Sequence, residues 1–440
     1  MSSISSKPLE DTSTPLTQAA GHPPSPRFVI DGQAPEAVVY PTSVEEVSRL
    51  LKEANENGRA LSPVGHGAFL HLGGVPKRYE QALCTTGLSA IVDYQPTDMT
   101  ITVGAGMSLA QLQAILGENG QWLPLDPPCP ERATVGGVIA ANLNGPARFS
   151  QGTVRDFLIG IKVVRADGTL IKGGGQVVKN VAGYDLPKLY CGSFGTLGII
   201  VEATFMIRPR PEAQTTLALT FSSAEKAGEA ALQLTGSDMQ PFFLELANFS
   251  PLSPSRDQGG DAYCLFVGFA GIQEEVDDQR SHLRDVLGDD TGSIEELSVD
   301  EAQTLSQALR DFPVSGPATL RCKVSLQPTQ LAAFCADLES EAQRRHAPVR
   351  LLARAGNGIL YAAFEGEAVP DDQILSLVDW IRVHATGSNG FVVVENIPAA
   401  LKARANVWGS VGKAFPLMQR LKETLDPKGI LNPGRFVGGL

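Results

Sequence analysis

The sequence predicts an α+β protein in two main units. The first is glycine-rich and built on short strands; in the second, paired strands alternate with amphipathic helices. Two stretches carry that reading. From residue 123 to residue 211, three glycine clusters (Gly136-Gly137, Gly173-Gly174-Gly175, and Gly192 with Gly195 and Gly198) lie between β-type runs such as 159–165 and 199–207. After Pro211 the character changes to strands in pairs with helices between them, the pattern of an antiparallel sheet covered on one face. A length of 440 residues has room for two or three cores. The expected units are residues 28–211, residues 212–395 and a C-terminal segment, 396–440.

Composition narrows the field. A net charge of −12 argues against nucleic acid or an anionic membrane as partner. No run approaches the ~18 apolar residues of a spanning helix. Six cysteines, at 84, 129, 191, 264, 322 and 335, are scattered without a CxxC pair. They read as thiols of a reducing compartment, not as a disulfide framework or iron–sulfur ligands. The expected location is therefore the cytoplasm.

Residues 1–27, rich in Ser, Thr and Pro with no apolar h-region, are expected to be a disordered tail. Thr42 or Ser43 can cap a helix with Glu45 and Glu46 in its first turn and Val44, Val47, Leu50, Leu51 and Ala54 on one face; Asn57-Gly58 ends it. A strand at 60–64 feeds the loop Gly65-His66-Gly67-Ala68-Phe69. Strands follow at 82–85, 91–94 and 100–103, then a helix at 107–119 through Leu109, Leu112, Ile115 and Leu116. Four prolines hold 123–130 extended. Gly136-Gly137 opens a small-residue helix whose N-terminus can meet a phosphate, although Gly-Gly before a helix is also an ordinary turn. A loop at 144–152 carries Arg148, which reads equally as a ligand contact or a solvated residue. Residues 163–172 form a hairpin turning at Asp167-Gly168. A helix at 182–189 and a strand entered through Gly195 and Gly198 complete the unit.

In the second unit, strands are expected at 215–220, 242–246, 263–268, 319–325, 351–355 and 358–364. Helices fall at 224–234, 274–287, 329–345 and 373–383, and loops at 250–260 and 366–370. A strand-helix-strand half repeated once is compatible with this order. A last helix spans 414–425.

Glycine lets a backbone approach a ligand closely, and successive N–H groups in its turns make anion cradles. With few charges near the glycines, 123–211 suggests a bed for a large phosphate-bearing cofactor. The motifs then become specific. PVGHGAFLHLGG at 63–74, ATVGG at 133–137 and VKNVAGYDLPKLYCGSFGTLGIIVEAT at 178–204, in that order, resemble the FAD-binding domain of the vanillyl-alcohol oxidase/PCMH superfamily. Within it, the chain resembles the FAD-binding E subunits of bacterial glycolate oxidase, and so does the tail LDPKGILNPGRF at 425–436.

The resemblance implies a PCMH-type two-subdomain FAD-binding domain closed by an α+β antiparallel-sheet cap, with the tail returning to the cofactor. It implies FAD held non-covalently: the position where some relatives attach flavin to a histidine falls on Ala68, and His66 replaces a middle glycine and shapes the loop. The cofactor-side residues it implies are Val64, Gly65, His66, Gly67, Ala68, Phe69, Pro127, Thr134, Gly136, Gly137, Ala140, Gly145, Gly152, Asp156, Gly195, Gly198, Ile199, Ile200 and Asn432. The implied reaction oxidises glycolate or a similar 2-hydroxy acid to the 2-oxo acid, with electrons passing to a non-nicotinamide acceptor. The implied partners are a catalytic D-type FAD subunit and an iron–sulfur subunit, which can also attach the complex peripherally to the inner membrane. Two alternatives stay open: a self-sufficient FAD-dependent dehydrogenase of another 2-hydroxy acid or alcohol, and a non-catalytic electron-relay or assembly subunit.

Relatives that oxidise 2-hydroxy acids themselves carry an HxGDGNxH metal motif near the end of the cap. Here the histidines (22, 66, 71, 282, 346 and 384) are spread out, His71 reading as an exposed or hydrogen-bonded loop residue. Ala355-Gly356-Asn357-Gly358, in a comparable place, offers one polar side chain, so no catalytic metal is expected. Arg321 and Lys323 share a face of the strand 319–325. If that face overlies the flavin, Arg321 can hold a substrate carboxylate through a bidentate pair; the other reading is a solvated sheet face. Arg404 and Trp408 are expected at the interface back to the first unit.

Overall fold

The structure, a computed structural model, describes residues 25–175, 185–252, 262–288, 292–365 and 370–440. Nearly all of the expected tail 1–27, the start of the predicted helix 182–189, and most of the loops 250–260 and 366–370 lie outside the described residues.

The first unit holds two sheets. β1 (Ala37–Val39), β2 (Leu61–Val64) and β3 (Gln81–Cys84) make a parallel sheet in the order β1-β3-β2. The helix α1 (Val44–Glu56) connects β1 to β2. Ser43 is its cap, accepting from the Glu46 amide at 3.2 Å, while the Glu46 carboxylate accepts from the Thr42 amide at 2.7 Å. Its buried stripe, Val47, Leu51 and Ala54, packs on Leu61 and Leu83 of the sheet. Full burial of Val47 and Leu51 contributes about 1.5–3 kcal/mol each.

The second sheet is antiparallel. It comprises β4 (Ile91–Gln95) and β5 (Thr100–Gly104), then, after the two-residue β6 (Gln121–Trp122), β7 (Leu158–Val164), β8 (Leu170–Gly174) and β9 (Ile199–Met206), in the order β4-β5-β9-β7-β8. β10 (Arg208–Pro209) pairs with β6. The helices α2 (Leu109–Gly117) and α3 (Val135–Ala141) pack on this sheet. The loop expected at 144–152 contains a short helix, α4 (Arg148–Gln151); α5 (Val154–Phe157) and α6 (Leu186–Tyr190) follow.

The cap is an eight-stranded antiparallel sheet built of two like halves. One runs β11 (Ala213–Phe221), α7 (Ala224–Gly236), β12 (Phe243–Ala247), β13 (Tyr263–Gly271), α8 (Gln273–Leu287), β14 (Ile294–Glu296). After α9 (Val299–Asp311) the order recurs: β15 (Ala318–Ser325), α10 (Pro328–Arg344), β16 (Val349–Arg354), β17 (Ile359–Glu365), α11 (Asp371–Gly387), β18 (Phe391–Asn396). The sheet order β14-β11-β13-β12-β16-β17-β15-β18 mirrors the halves about the β12–β16 seam. The four large helices bury one apolar face of the sheet. Sequence reading missed β14, α9 and β18. α9 has only Leu305 and Leu309 fully buried, too thin a stripe to register as a periodic face; its start is marked instead by a Ser298–Glu301 capping box.

α12 (Ala399–Ala405) and α13 (Phe415–Leu425) lead back to the first unit, where Leu61 bridges Leu431 in parallel. One ammonium fastens this return. Lys422 Nζ donates to the Thr196 carbonyl at 2.8 Å, the Leu431 carbonyl at 2.8 Å and Asp426 Oδ2 at 2.6 Å. Asp426 in turn accepts from the Ile430 and Leu431 amides. All three donors of a buried charge are thus satisfied.

Candidate flavin site

A cleft opens between the two sheets of the first unit and is closed at one end by the tail. Its wall brings together Val64, Gly65, His66, Gly67, Ala68, Phe69, Thr134, Gly136, Gly137, Ala140, Gly195, Gly198, Ile199, Ile200 and Asn432. It also includes Thr85, Arg132, Phe194 and Arg435, which sequence reasoning did not assign. Arg132 stands two residues before Thr134, and Arg435 lies inside the quoted tail motif, so both were in reach of a closer reading.

Four expected residues do not line this cleft. Pro127 is buried in the proline-rich turn. Gly145 lets Asp126 come close, since any Cβ there would overlap the Asp126 backbone and carboxylate. Gly152 takes φ +99°, and Asp156 accepts from the amide and hydroxyl of Thr153 as the local cap.

The donors available for a pyrophosphate differ from the expected ones. The first amides of α3 are already engaged: Val135 with the Met107 carbonyl, Gly136 with the Ala105 carbonyl at 2.7 Å, and Gly137 with Thr134 Oγ1. The helix-terminus argument therefore does not hold for this helix. In the loop after β2, the amides of His66, Gly67, Ala68 and Phe69 donate to no group among the described residues. Gly67 there takes φ +74°, the conformation that turns successive amides into an anion nest. Opposite, Asn432 Nδ2 donates to the Phe194 carbonyl at 2.6 Å, while its Oδ1 is buried without a partner. The start of β9 pairs with β7 at Ile199 and Ile200 and leaves its other edge beside the cleft. Unspent amides, an orphaned acceptor and walls too tight for any Cβ at Gly65 all suit a large dinucleotide.

Positive charge gathers where the cleft meets the cap. Arg435, 3% exposed, donates to the carbonyls of Leu70, Leu72 and Gly74 and lies 3.4 Å from Asp31. Lys402 Nζ meets Asp31 at 2.6 Å and the His71 carbonyl at 2.7 Å. Burial lowers the Arg435 guanidinium to about 10 against the pull of Asp31. Burial, aided by Lys402, Arg321, Arg435 and Arg132, pushes His71 down to about 4, so it is a neutral, half-buried residue. Trp408 joins this seam: its Nε1 donates to the Arg435 carbonyl at 3.0 Å and its ring meets Phe194 edge-on at 4.9 Å. Arg404 does not, lying instead 3.5 Å from Asp372 on the cap surface.

The cap face opposite α7, α8, α10 and α11 carries charged residues beside an apolar cluster that α9 covers with Leu305 and Leu309. Register places Arg321, Lys323, Glu245, Arg354 and Tyr361 on that face, and Glu395 lies near Lys323 and Arg321. Arg321 is not solvated; it is 4% exposed and its Nη2 donates to the Ser315 carbonyl. Arg354, unassigned in the sequence reading, is 1% exposed. The signal was there: Arg354 to Tyr361 reads RAGNGILY, with Arg and Tyr at the seven-residue separation of the two histidines of HxGDGNxH. A guanidinium has no lone pair for a cation, so these residues do not fit that metal.

The site and fold define an FAD-binding flavoprotein of the PCMH type. The family model "FAD binding domain" matches residues 35–174, and "FAD linked oxidases, C-terminal domain" matches 210–382 and 407–436. Glycolate oxidase subunit GlcE of Escherichia coli is 32% identical over 80% of this chain and 85% of its own length. Glycolate oxidase subunit GlcD of Bacillus subtilis is 26% identical over 91% and 89%. The solved p-cresol methylhydroxylase, 19% identical, superposes with a TM-score of 0.73 over 93% of this chain and 91% of that one, which shows the fold. The chain belongs to the FAD-linked oxidase family: it is an FAD-dependent oxidoreductase, and its cofactor is FAD.

Proposed function

We propose that this chain is a flavin-carrying subunit of a glycolate oxidase-type complex that oxidises glycolate or a similar 2-hydroxy acid at its CH–OH group to the 2-oxo acid. The observation that carries this reading is the cationic seam between cleft and cap. In a chain of net charge −12, Arg132, Arg321, Lys402 and Arg435 all act on one point, His71, and among the described residues Asp31 is the one carboxylate in ion-pair contact with Lys402 and Arg435. Such a place draws an anionic substrate toward the flavin. Bound FAD supplies hydride acceptance at its ring. The residues of this chain hold it: the amides of His66–Phe69 suit the pyrophosphate, Asn432 borders the cleft, and the cap excludes water. With Ala68 where a linking histidine would stand, attachment is non-covalent.

The similarity to subunits named GlcE and GlcD supports a complex with a D-type FAD subunit; an iron–sulfur subunit would carry electrons to a non-nicotinamide acceptor. Among the described residues no helix is long and apolar enough to cross a membrane, and we place the complex in the cytoplasm, reaching the inner membrane through partners. The test is anaerobic bleaching of the flavin band by glycolate and D-lactate. Bleaching of the isolated chain supports its own turnover, and bleaching only with partner subunits supports electron relay. A yellow protein that no 2-hydroxy acid bleaches, alone or in the complex, refutes the reading.

A further inference from the structure

Arg354 ends β16 on the charged face of the cap, with its side chain packed away from solvent and Nε, Nη1 and Nη2 all without hydrogen-bond partners. Glu245 stands directly opposite it in register, 1% exposed, with Oε2 also unpartnered. The Tyr361 ring centre lies 5.2 Å from the guanidinium carbon. Asp126, reaching over from the proline-rich turn of the FAD unit, and Glu395 of β18 attract Arg354 through space, as Glu245 does. Arg148 of α4 approaches the same point from the FAD unit. Burial raises Glu245 to about 8 and Asp126 to about 6, so the carboxyls around the guanidinium favour their neutral forms more than exposed acids do. A permanently charged fork of five donors, buried and unpaired, is a costly arrangement that an anion with two acceptor oxygens relieves.

We infer that Arg354 is the resident positive centre of the substrate pocket, a guanidinium standing in place of a divalent cation, and that its unpaired fork receives the carboxylate of a small 2-hydroxy acid. This rests on the proposed oxidation of such acids. The frame Arg354–Tyr361 leaves only Asn357 and the Tyr361 hydroxyl as neutral oxygen ligands at the motif positions, and a dication beside Arg354 would be repelled. Because Arg354 is packed away, the carboxylate enters only when the covering residues part. Phe149 of α4 in the FAD unit is one such cover: it lies on Gly356, two residues on from Arg354, where there is no room for even a methyl group.

The experiment uses the FAD-loaded protein and oxalate, a carboxylate that cannot be oxidised by hydride loss, with the flavin difference spectrum as readout. Wild type is expected to bind oxalate saturably, with the same affinity after EDTA treatment. Arg354→Met is expected to weaken oxalate by about 100-fold and Arg354→Lys, which keeps the buried charge and guards against loss of folding, by about 10-fold, at unchanged FAD content. Oxalate binding retained in both variants overturns the inference while leaving the proposed reaction standing if glycolate still bleaches the flavin. Loss of binding on EDTA treatment, or equal occupancy by chloride, also overturns it. A loaded wild-type protein, alone and in its complex, that responds to neither oxalate nor glycolate overturns both.

Discussion

Gly65→Ala isolates what the cradle geometry demands. A Cβ at Gly65 would fall 2.7 Å from Thr134 Cγ2 and 3.1 Å from Thr134 Cβ, with Thr134 Oγ1 closer still. Thr134 cannot step aside. It is 3% exposed, and its hydroxyl caps α3 by accepting from the Gly137 amide at 3.3 Å. The loop after β2 must therefore move off the helix, taking with it the free amides of His66–Phe69. Overpacking of this kind costs about 1–3 kcal/mol. An empty protein sheds that strain by letting the loop drift, but flavin loading requires the loop in place, so the cost falls on binding, about 5- to 150-fold in Kd. The assay is reconstitution of the apoprotein, followed by quenching of FAD fluorescence. Gly236→Ala, whose added methyl meets nothing within 4 Å, is the control and should load as wild type does. Wild-type FAD affinity in Gly65→Ala would refute the placement of the pyrophosphate at this loop.

Other predictions follow from the charges and the loop chemistry. Asp31→Ala leaves Lys402 and Arg435 buried without their shared carboxylate and should cost about 3–5 kcal/mol in denaturant unfolding, against much less for Lys188→Ala, whose partner Asp185 is exposed. His71 has a folded pKa of about 4 against an ordinary 6.5, so the unfolded chain takes up the proton first. Its neutral form confers stability in full above pH 6.5 that is lost as pH falls toward 4, at most about 3 kcal/mol. His71→Gln should flatten that part of the stability profile. Acid precipitation should release all yellow colour to the supernatant, and colour kept in the pellet would contradict the role given to Ala68.

Local chemistry was legible wherever it resides in neighbouring residues. The α1 cap, the 163–172 hairpin and the β–loop–Gly pattern at 60–69 each read correctly because cap, turn and period are local properties. α9 and β14 were not legible, since a two-leucine stripe and a three-residue strand carry too little periodic signal. The α3 amides show the limit most clearly. From sequence they are four open donors at a helix start; in the fold, Met107 and Ala105 of a chain segment thirty residues upstream have already taken two of them.

The sequence by itself determined the FAD-linked oxidase architecture, because its glycines, turn residues and motif order are conditions on local backbone conformation. It also determined that no histidine pair stands in the motif frame at 354–361. Tertiary structure alone decided which donors are free, which charges are buried and what they face. Arg321 was a candidate clamp by strand parity and proves occupied by a carbonyl, whereas Arg354, marked in the chain only by its place in the motif frame, keeps Nε, Nη1 and Nη2 without hydrogen-bond partners. Both lie on the same sheet face. What separates them is the identity of the atoms brought near from distant parts of the chain, and hydrogen bonding and desolvation act over that short range, which sequence order does not encode.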